Sequence, residues 1–256
     1  MERYHFCRYE LKYLINKVEY KDILRSLKKY MNYDTYSDLR VDKMYDVTST
    51  YYEGTSKYCY YEKVDGIEFR KKFRLRDYYE KTKGKDLKRT VYFEIKRKHN
   101  NIIIKDRFPV EYALWQQFIE NDDFTMDIFN NESKKILEEF LVHKWTRALK
   151  PLVKIHYKRT ALTSEYHENL RVTFDKEVEC IKINHNDQFL DEDVYEPIDS
   201  NLYVMEIKFT GMLPHYIHDV LQRHELTRDS VSKYCLGLEK TNIVSDNFNL
   251  MQLNLL

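Results

Sequence analysis

Glycine is scarce in this chain. There are five in 256 residues, Gly54, Gly66, Gly84, Gly211 and Gly237. No pair has the spacing of a G-x-G-x-x-G turn or a G-x-x-x-x-G-K loop, so neither glycine cradle for phosphates is present. A nucleotide held here is held by side chains. Proline is as scarce, with four. Without a Pro/Gly linker the expectation is one domain, 1–256, with a core of about 3–240 and a tail 241–256 ending in Met251, Leu253, Leu255 and Leu256. The four cysteines, Cys7, Cys59, Cys180 and Cys235, form no C-x-x-C pair. That excludes a disulfide framework and predicts reduced, mostly buried thiols. H-E-x-x-H is absent, and His215 and His218 read as surface residues rather than zinc ligands. No apolar run approaches the length of about 18 residues that a membrane span requires, and the N-terminus lacks a signal-peptide pattern. The expectation is a cytoplasmic protein with no span of its own. Charge of one sign is also lacking overall: 43 Lys+Arg meet 42 Asp+Glu. This excludes a protein basic all over, such as a bulk nucleic-acid binder.

What is present is alternation. Runs with a period of two predict eight strands, at about 5–14, 43–52, 67–78, 89–98, 101–108, 151–163, 169–180 and 202–209. Helical spacing predicts helices at 16–31, 110–120, 132–147 and 212–226, with a short helix or turn at 55–64. Strands dominate without regular βαβ alternation, so the fold class is α+β with an antiparallel sheet.

Residues two apart on a strand share a face. Arg70, Lys72, Arg74 and Arg76 therefore lie on one side of their strand and Phe69, Phe73 and Leu75 on the other. Glu94, Lys96 and Lys98 oppose Val91, Phe93 and Ile95; Glu10 and Lys12 oppose Tyr9, Leu11 and Tyr13. Glu206 and Lys208 oppose Met205, Ile207 and Phe209, and Arg171 and Thr173 oppose Val172 and Phe174. A sheet wet on one face shows such alternation too. The amphipathic helices, however, need an apolar surface to cover. Helices outside and charges inside a closed or nearly closed barrel satisfy both. An interior rich in Lys and Arg requires an anionic guest, and forks with point charges suit a polyphosphate. Glu10, Glu94 and Glu206 each precede a Lys by two. Each is either an ion-pair partner or a ligand for Mg²⁺ or Mn²⁺. Tyr157 and Arg159 share parity with Val153 and Ile155, which implies a bulge there or a position at the mouth.

The ordered set of segments resembles a family. Arg8-Tyr9-Glu10-Leu11-Lys12-Tyr13, Val47 to Glu53, Lys72-Phe73-Arg74-Leu75-Arg76, Phe93-Glu94-Ile95-Lys96, Lys105-Asp106-Arg107-Phe108, Tyr157-Lys158-Arg159, Arg171 to Asp175, Met205-Glu206-Ile207-Lys208 and Ser232-Lys233-Tyr234 follow one another. They resemble the VTC domain of the vacuolar transporter chaperone complex and its bacterial relatives, within the triphosphate tunnel metalloenzymes. The resemblance implies an antiparallel eight-stranded β-barrel with helices packed outside. It implies triphosphate handling by Lys12, Arg74, Arg76, Lys96, Lys105, Arg159, Arg171, Ser232 and Lys233. Tyr157 is the implied nucleobase contact and Glu206 the implied metal ligand. Arg70, Lys72, Glu10, Glu94 and Lys208 are further substrate-binding candidates from the faces. The implied activity is a polyphosphate polymerase using ATP and Mn²⁺ or Mg²⁺, with no nucleic-acid partner, working beside a membrane-protein partner at the inner face of a membrane. Hydrolytic members of the superfamily carry E-x-E-x-K on the first strand, where this chain has Arg8; the poorer carboxylate set favours transfer over hydrolysis. The alternatives are a tripolyphosphatase or nucleoside triphosphatase, or a non-catalytic module binding polyphosphate or inositol phosphates. The charge blocks fit a threaded anion: residues 68–107 hold 15 Lys/Arg and 6 Asp/Glu, and residues 175–206 hold 2 and 10. The acidic block, Glu206 excepted, is expected to face solvent.

Overall fold

The computed structural model describes residues 9–78, 88–100, 102–121, 129–183 and 194–244. Cys7, Arg8 and the tail beyond 244 lie outside them. In chain order come β1 (Tyr9–Ile15), α1 (Lys17–Leu27), β2 (Asn32–Tyr33), α2 (Thr35–Asp38), β3 (Tyr45–Glu53), α3 (Tyr58–Val64), β4 (Phe69–Asp77), β5 (Thr90–His99) and β6 (Ile102–Glu111). Then follow α4 (Tyr112–Asn121), α5 (Asn131–Arg147), β7 (Lys150–Thr163), β8 (Arg171–Lys182), β9 (Glu196–Pro197), β10 (Tyr203–Phe209), α6 (His215–Arg223) and α7 (Lys233–Lys240). The eight long strands overlap the eight alternating runs of the sequence.

These strands form one antiparallel sheet in the order β1-β10-β8-β7-β3-β4-β5-β6, with β2 beside β7 and β9 beside β8. Among the described residues no backbone ladder joins the edges β1 and β6. The sheet curls instead, so that Lys96 Nζ on β5 donates to both oxygens of Glu10 on β1, at 3.1 and 3.0 Å.

Local chemistry sets the helix starts. Asn16 accepts from the backbone N–H of Val18 and Glu19 while Glu19 returns a bond to the Asn16 N–H, a capping box that opens α1. Asn130 caps α5 through the Ser133 N–H at 2.8 Å. The outer face of the sheet carries two apolar clusters. Ile23 and Leu27 of α1 with Ile217 and Val220 of α6 cover Leu162, Val172, Phe174, Met205 and Ile207. Trp115 and Phe118 of α4 with Leu137 and Phe140 of α5 cover Phe73, Leu75, Phe93, Ile95 and Phe108. Each such side chain contributes roughly 1.5–3 kcal/mol on burial, which fixes the polar face as the inner one.

Helix α7 departs from this plan. A Cβ on Gly237 would meet Ile155 Cδ1 at 2.2 Å and Cys180 Cβ at 3.5 Å. Ile155 stands opposite Ser49 in the register, and Ser49 accepts from Arg76 in the lumen. So α7 lies inside the curled sheet, against β7 and β8. This resolves the parity of Tyr157 and Arg159. β7 keeps one register with β3 from Val153 to Arg159, without a flip. Val153 and Ile155 are inner residues too, apolar because α7 covers them. The irregularity falls in β8, where Glu177 has φ 51° and the register slips against β7 by one.

Candidate functional site in the lumen

Register places every sequence-derived site residue except Ser232 and Lys233 on the inner face of a strand; those two open α7. Arg74 lies between Tyr51 on β3 and Glu94 on β5. Its Nε donates to Glu94 at 2.7 Å, its Nη2 lies 2.5 Å from the same carboxylate, and its Nη1 donates to the Tyr51 hydroxyl at 3.3 Å. Glu94 is fully buried and also pairs with Lys105 at 3.4 Å and Arg107 at 4.0 Å. Arg76 donates to Ser49 Oγ at 3.3 Å and to the Tyr157 hydroxyl at 3.4 Å. Arg159 grips Asp175 with both prongs, at 2.6 and 2.8 Å, and Lys233 Nζ reaches the same carboxylate at 2.5 Å. Tyr157 is buried between them, with Lys233 Nζ 4.9 Å and the Arg159 guanidinium 5.3 Å from its ring centre.

A second cluster lies toward the β1 edge. Glu206 pairs with Lys208 at 2.6 Å and with Lys12 at 3.9 Å. Glu10 pairs with Lys96 and, at 3.4 Å, with Lys12. Lys12 also donates to the Val231 carbonyl at 3.1 Å, and Lys72 to Ser232 Oγ at 2.9 Å. Ser232 caps α7 by accepting from the Cys235 N–H.

The electrostatics report a positive lumen. Burial alone raises a phenol, yet Arg74, Arg76 and Lys72 bring Tyr51 down to about 8. Burial is the largest cause that lowers Lys96 and Lys105 to about 8; Glu10 and Glu94 oppose it, while Lys12 and Arg74 add to it. The carboxylates stay ionised. Burial and Glu206 raise Glu10, but Lys96, Lys12 and Lys208 hold it at about 2. Burial raises Asp175, and Arg159 with Lys233 holds it at about 2.

Two cavities open at opposite ends of β4. One of about 360 Å³ is lined by Lys12, Lys63, Arg70, Lys72, Lys96, Lys98 and Arg228 against two carboxylates, Glu10 and Asp229. The other, about 330 Å³, is lined by Tyr36, Tyr45, Tyr78 and Tyr92 with Arg89, Arg107, Arg171 and Asp77. Arg171 donates there to Asp34 at 2.6 Å and to the Tyr45 hydroxyl at 3.0 Å. From Lys72 to Asp77, along the strand between them, is about 17 Å. Sequence reasoning missed this tyrosine mouth, Tyr51 and Asp175. It also missed Glu53, a buried carboxylate that accepts from the N–H groups of Gly54, Cys59 and Tyr60 and from the Tyr234 hydroxyl. Glu53 thereby ties the start of α3 to α7. The acidic block does not wholly face solvent, because Asp175 is fully buried in the lumen.

Hard carboxylate oxygens on Glu10 and Glu206 fit Mg²⁺ or Mn²⁺. Among the described residues no group of three or more His, Cys, Asp or Glu forms a self-sufficient metal site, so phosphate oxygens would complete the shell. His215 and His218 are exposed. No helix among the described residues is long and apolar enough to cross a membrane.

The fold recurs in solved structures. A Bacillus halodurans protein described as a candidate adenylate cyclase matches at a TM-score of 0.51 and 12% identity, covering 88% of this chain and 95% of its own. A Hippeastrum protein described as a candidate adenylyl cyclase with dominant triphosphatase activity matches at 0.49 and 11%, covering 91% and 96%. No curated protein sequence matches the chain. The sequence pattern of the VTC domain matches residues 7–242. Because that pattern runs over nearly the whole chain, the chain belongs to the VTC domain family.

Proposed function

We propose that the protein is a polyphosphate polymerase that moves the γ-phosphoryl group of ATP onto the end of an inorganic polyphosphate chain. The observation that carries this reading is the pair of unlike mouths on one cationic lumen. The tyrosine mouth offers ring faces to a nucleoside; the other offers seven cations and no aromatic lining to a chain of phosphates. A terminal phosphate oxygen of the chain attacks the γ-phosphorus, the bond from that phosphorus to the β-bridging oxygen breaks, and ADP leaves. The acceptor is already an anion and needs no general base. Arg74, Arg76, Lys105 and Arg159 neutralise charge spreading over the transferred group, which together with alignment supplies most of the catalysis in phosphoryl transfer. Glu206 and Glu10 would hold the divalent ion, which supplies further neutralisation of the phosphate oxygens. Tyr51, Asp175 and Glu94 fix the cations that face the substrate.

A second reading, hydrolysis of the triphosphate, is favoured by one observation: Glu10 and Glu206 flank the same ammonium, Lys12 Nζ, at 3.4 and 3.9 Å, and two carboxylates so placed are suited to orient water. The test is incubation of the protein with ATP and Mn²⁺. Long polyphosphate with ADP supports the polymerase. ADP with orthophosphate as the sole phosphate product overturns it in favour of the hydrolase.

A further inference from the structure

Buried side-chain polar atoms almost always find partners, because an unmade hydrogen bond in the interior costs about 1–3 kcal/mol. Among the described residues five such atoms have none, and two of them, Arg171 Nε and Thr173 Oγ1, stand two residues apart on β8. Arg171 and Thr173 share the inner face of that strand. Thr173 is 1% exposed and stands in register with Glu206 on β10 and Ala161 on β7. Asp175 follows it on the same face, gripped by Arg159 and Lys233. Every carboxylate within this cluster is taken by a cation, and the Thr173 hydroxyl bonds to none of them. A valine of the same shape would pack there without an orphaned group. Selection for stability alone does not explain a threonine at this point.

We infer that the Thr173 hydroxyl is a substrate contact, donating a hydrogen bond to a phosphoryl oxygen of a polyphosphate seated between Lys12 and Arg159, with Arg171 Nε donating to the same chain about 7 Å along the strand. A phosphate chain that draws Lys12 and Arg159 away from Glu206 and Asp175 exposes the hydroxyl to its oxygens. A hydroxyl serves here where a further cation would not, since it donates without adding repulsion. The inference rests on the lumen being the anion site, as in the proposed function, but not on which reaction occurs there.

The test uses tripolyphosphate as the probe, in the presence of a chelator, with binding followed by calorimetry and unfolding followed thermally. A hydrogen bond to a charged group is worth enough to expect Thr173→Val to weaken binding by about tenfold or more, with Thr173→Ser restoring most of it. Because Thr173→Val also removes an unpaired buried hydroxyl, the melting temperature of the free protein should stay level or rise. Unchanged affinity in Thr173→Val while the parent chain binds overturns the inference and leaves the anion lumen standing. A fall in melting temperature with unchanged affinity assigns the hydroxyl to structure and also overturns it. A loss seen only when Mg²⁺ is added makes the hydroxyl a metal ligand instead and overturns it as stated. Failure of the parent chain itself to bind tripolyphosphate overturns the reading of the lumen and this inference with it.

Discussion

Lys96 and Lys105 should take up protons when a triphosphate enters the lumen. Each is lowered from the usual range near 10.5 to about 8, chiefly by burial, against the pull of Glu10 on one and Glu94 on the other. A polyanion beside them favours the ammonium form and restores a high value. The bound state therefore holds these protons more tightly than the free state. The sign follows: affinity is full below pH 8 and falls as the pH rises past 8, where free lysines lose the proton that binding must supply. At pH 8 each lysine is half protonated, so saturation takes up about half a proton per lysine and about one in total. At pH 7 only about a fifth of a proton is needed. Calorimetric titration with tripolyphosphate in two buffers of different ionisation heat, at each pH, measures the number once the ligand's own protonation is subtracted. Lys96→Met and Lys105→Met should each remove about half of the uptake at pH 8. Zero uptake at pH 8, or equal uptake at pH 7 and pH 8, would refute the account of these two lysines as desolvated cations waiting for an anion.

Gly237→Ala adds helix propensity worth about 1 kcal/mol, but its Cβ lands 2.2 Å from Ile155 Cδ1 in a fully buried contact. The overpacking, at about 1–3 kcal/mol, should win and lower the melting temperature by several degrees. A rise instead would show that α7 is not held against β7. Arg74→Ala removes the main partner of the fully buried Glu94 and should cost about 3 kcal/mol in denaturant unfolding. Arg74→Ala with Glu94→Ala should recover most of that stability without recovering tripolyphosphate binding; recovery of both would make the pair merely structural. Glu206→Gln should abolish the dependence of turnover on added Mn²⁺ by lowering turnover to its metal-free level, while tripolyphosphate still binds under chelator; full metal-dependent turnover in this variant would remove Glu206 as a ligand.

The strand faces were legible because charge and apolarity alternate from Arg70 to Arg76 with Lys71 the one exception, and a curled sheet leaves only one place for such a face. The pair Tyr157 and Arg159 and the segment beyond 232 were less so, for a common physical reason. Helix α7 is buried by the lumen around it, with Tyr234, Cys235, Gly237 and Leu238 all inaccessible. A helix covered on several sides shows no single apolar stripe, and eight residues give periodicity little room. The apolar inner residues Val153 and Ile155 make sense only once that helix is known to lie on them. Asp175 was hidden differently. It reads as one acid in an acidic stretch, and its parity with Arg171 and Thr173 was the signal that could have placed it inside. Nothing in the run of tyrosines at 36, 45, 78 and 92 hints that three strands and a short helix bring them to one mouth.

The carboxylates inside the lumen have a consequence for what the tunnel accepts. Glu10, Glu94, Asp175 and Glu206 already occupy the cations that a guest must claim. Entry is then an ion exchange, in which each phosphate competes with a tethered anion at very high local concentration. A single orthophosphate competes with one such pair and gains little. A chain carrying many charges on one backbone displaces several pairs at the entropic cost of immobilising one molecule. For the polyphosphate proposed as guest, the interior anions would thus act as a threshold on ligand length, disfavouring orthophosphate relative to the polymer.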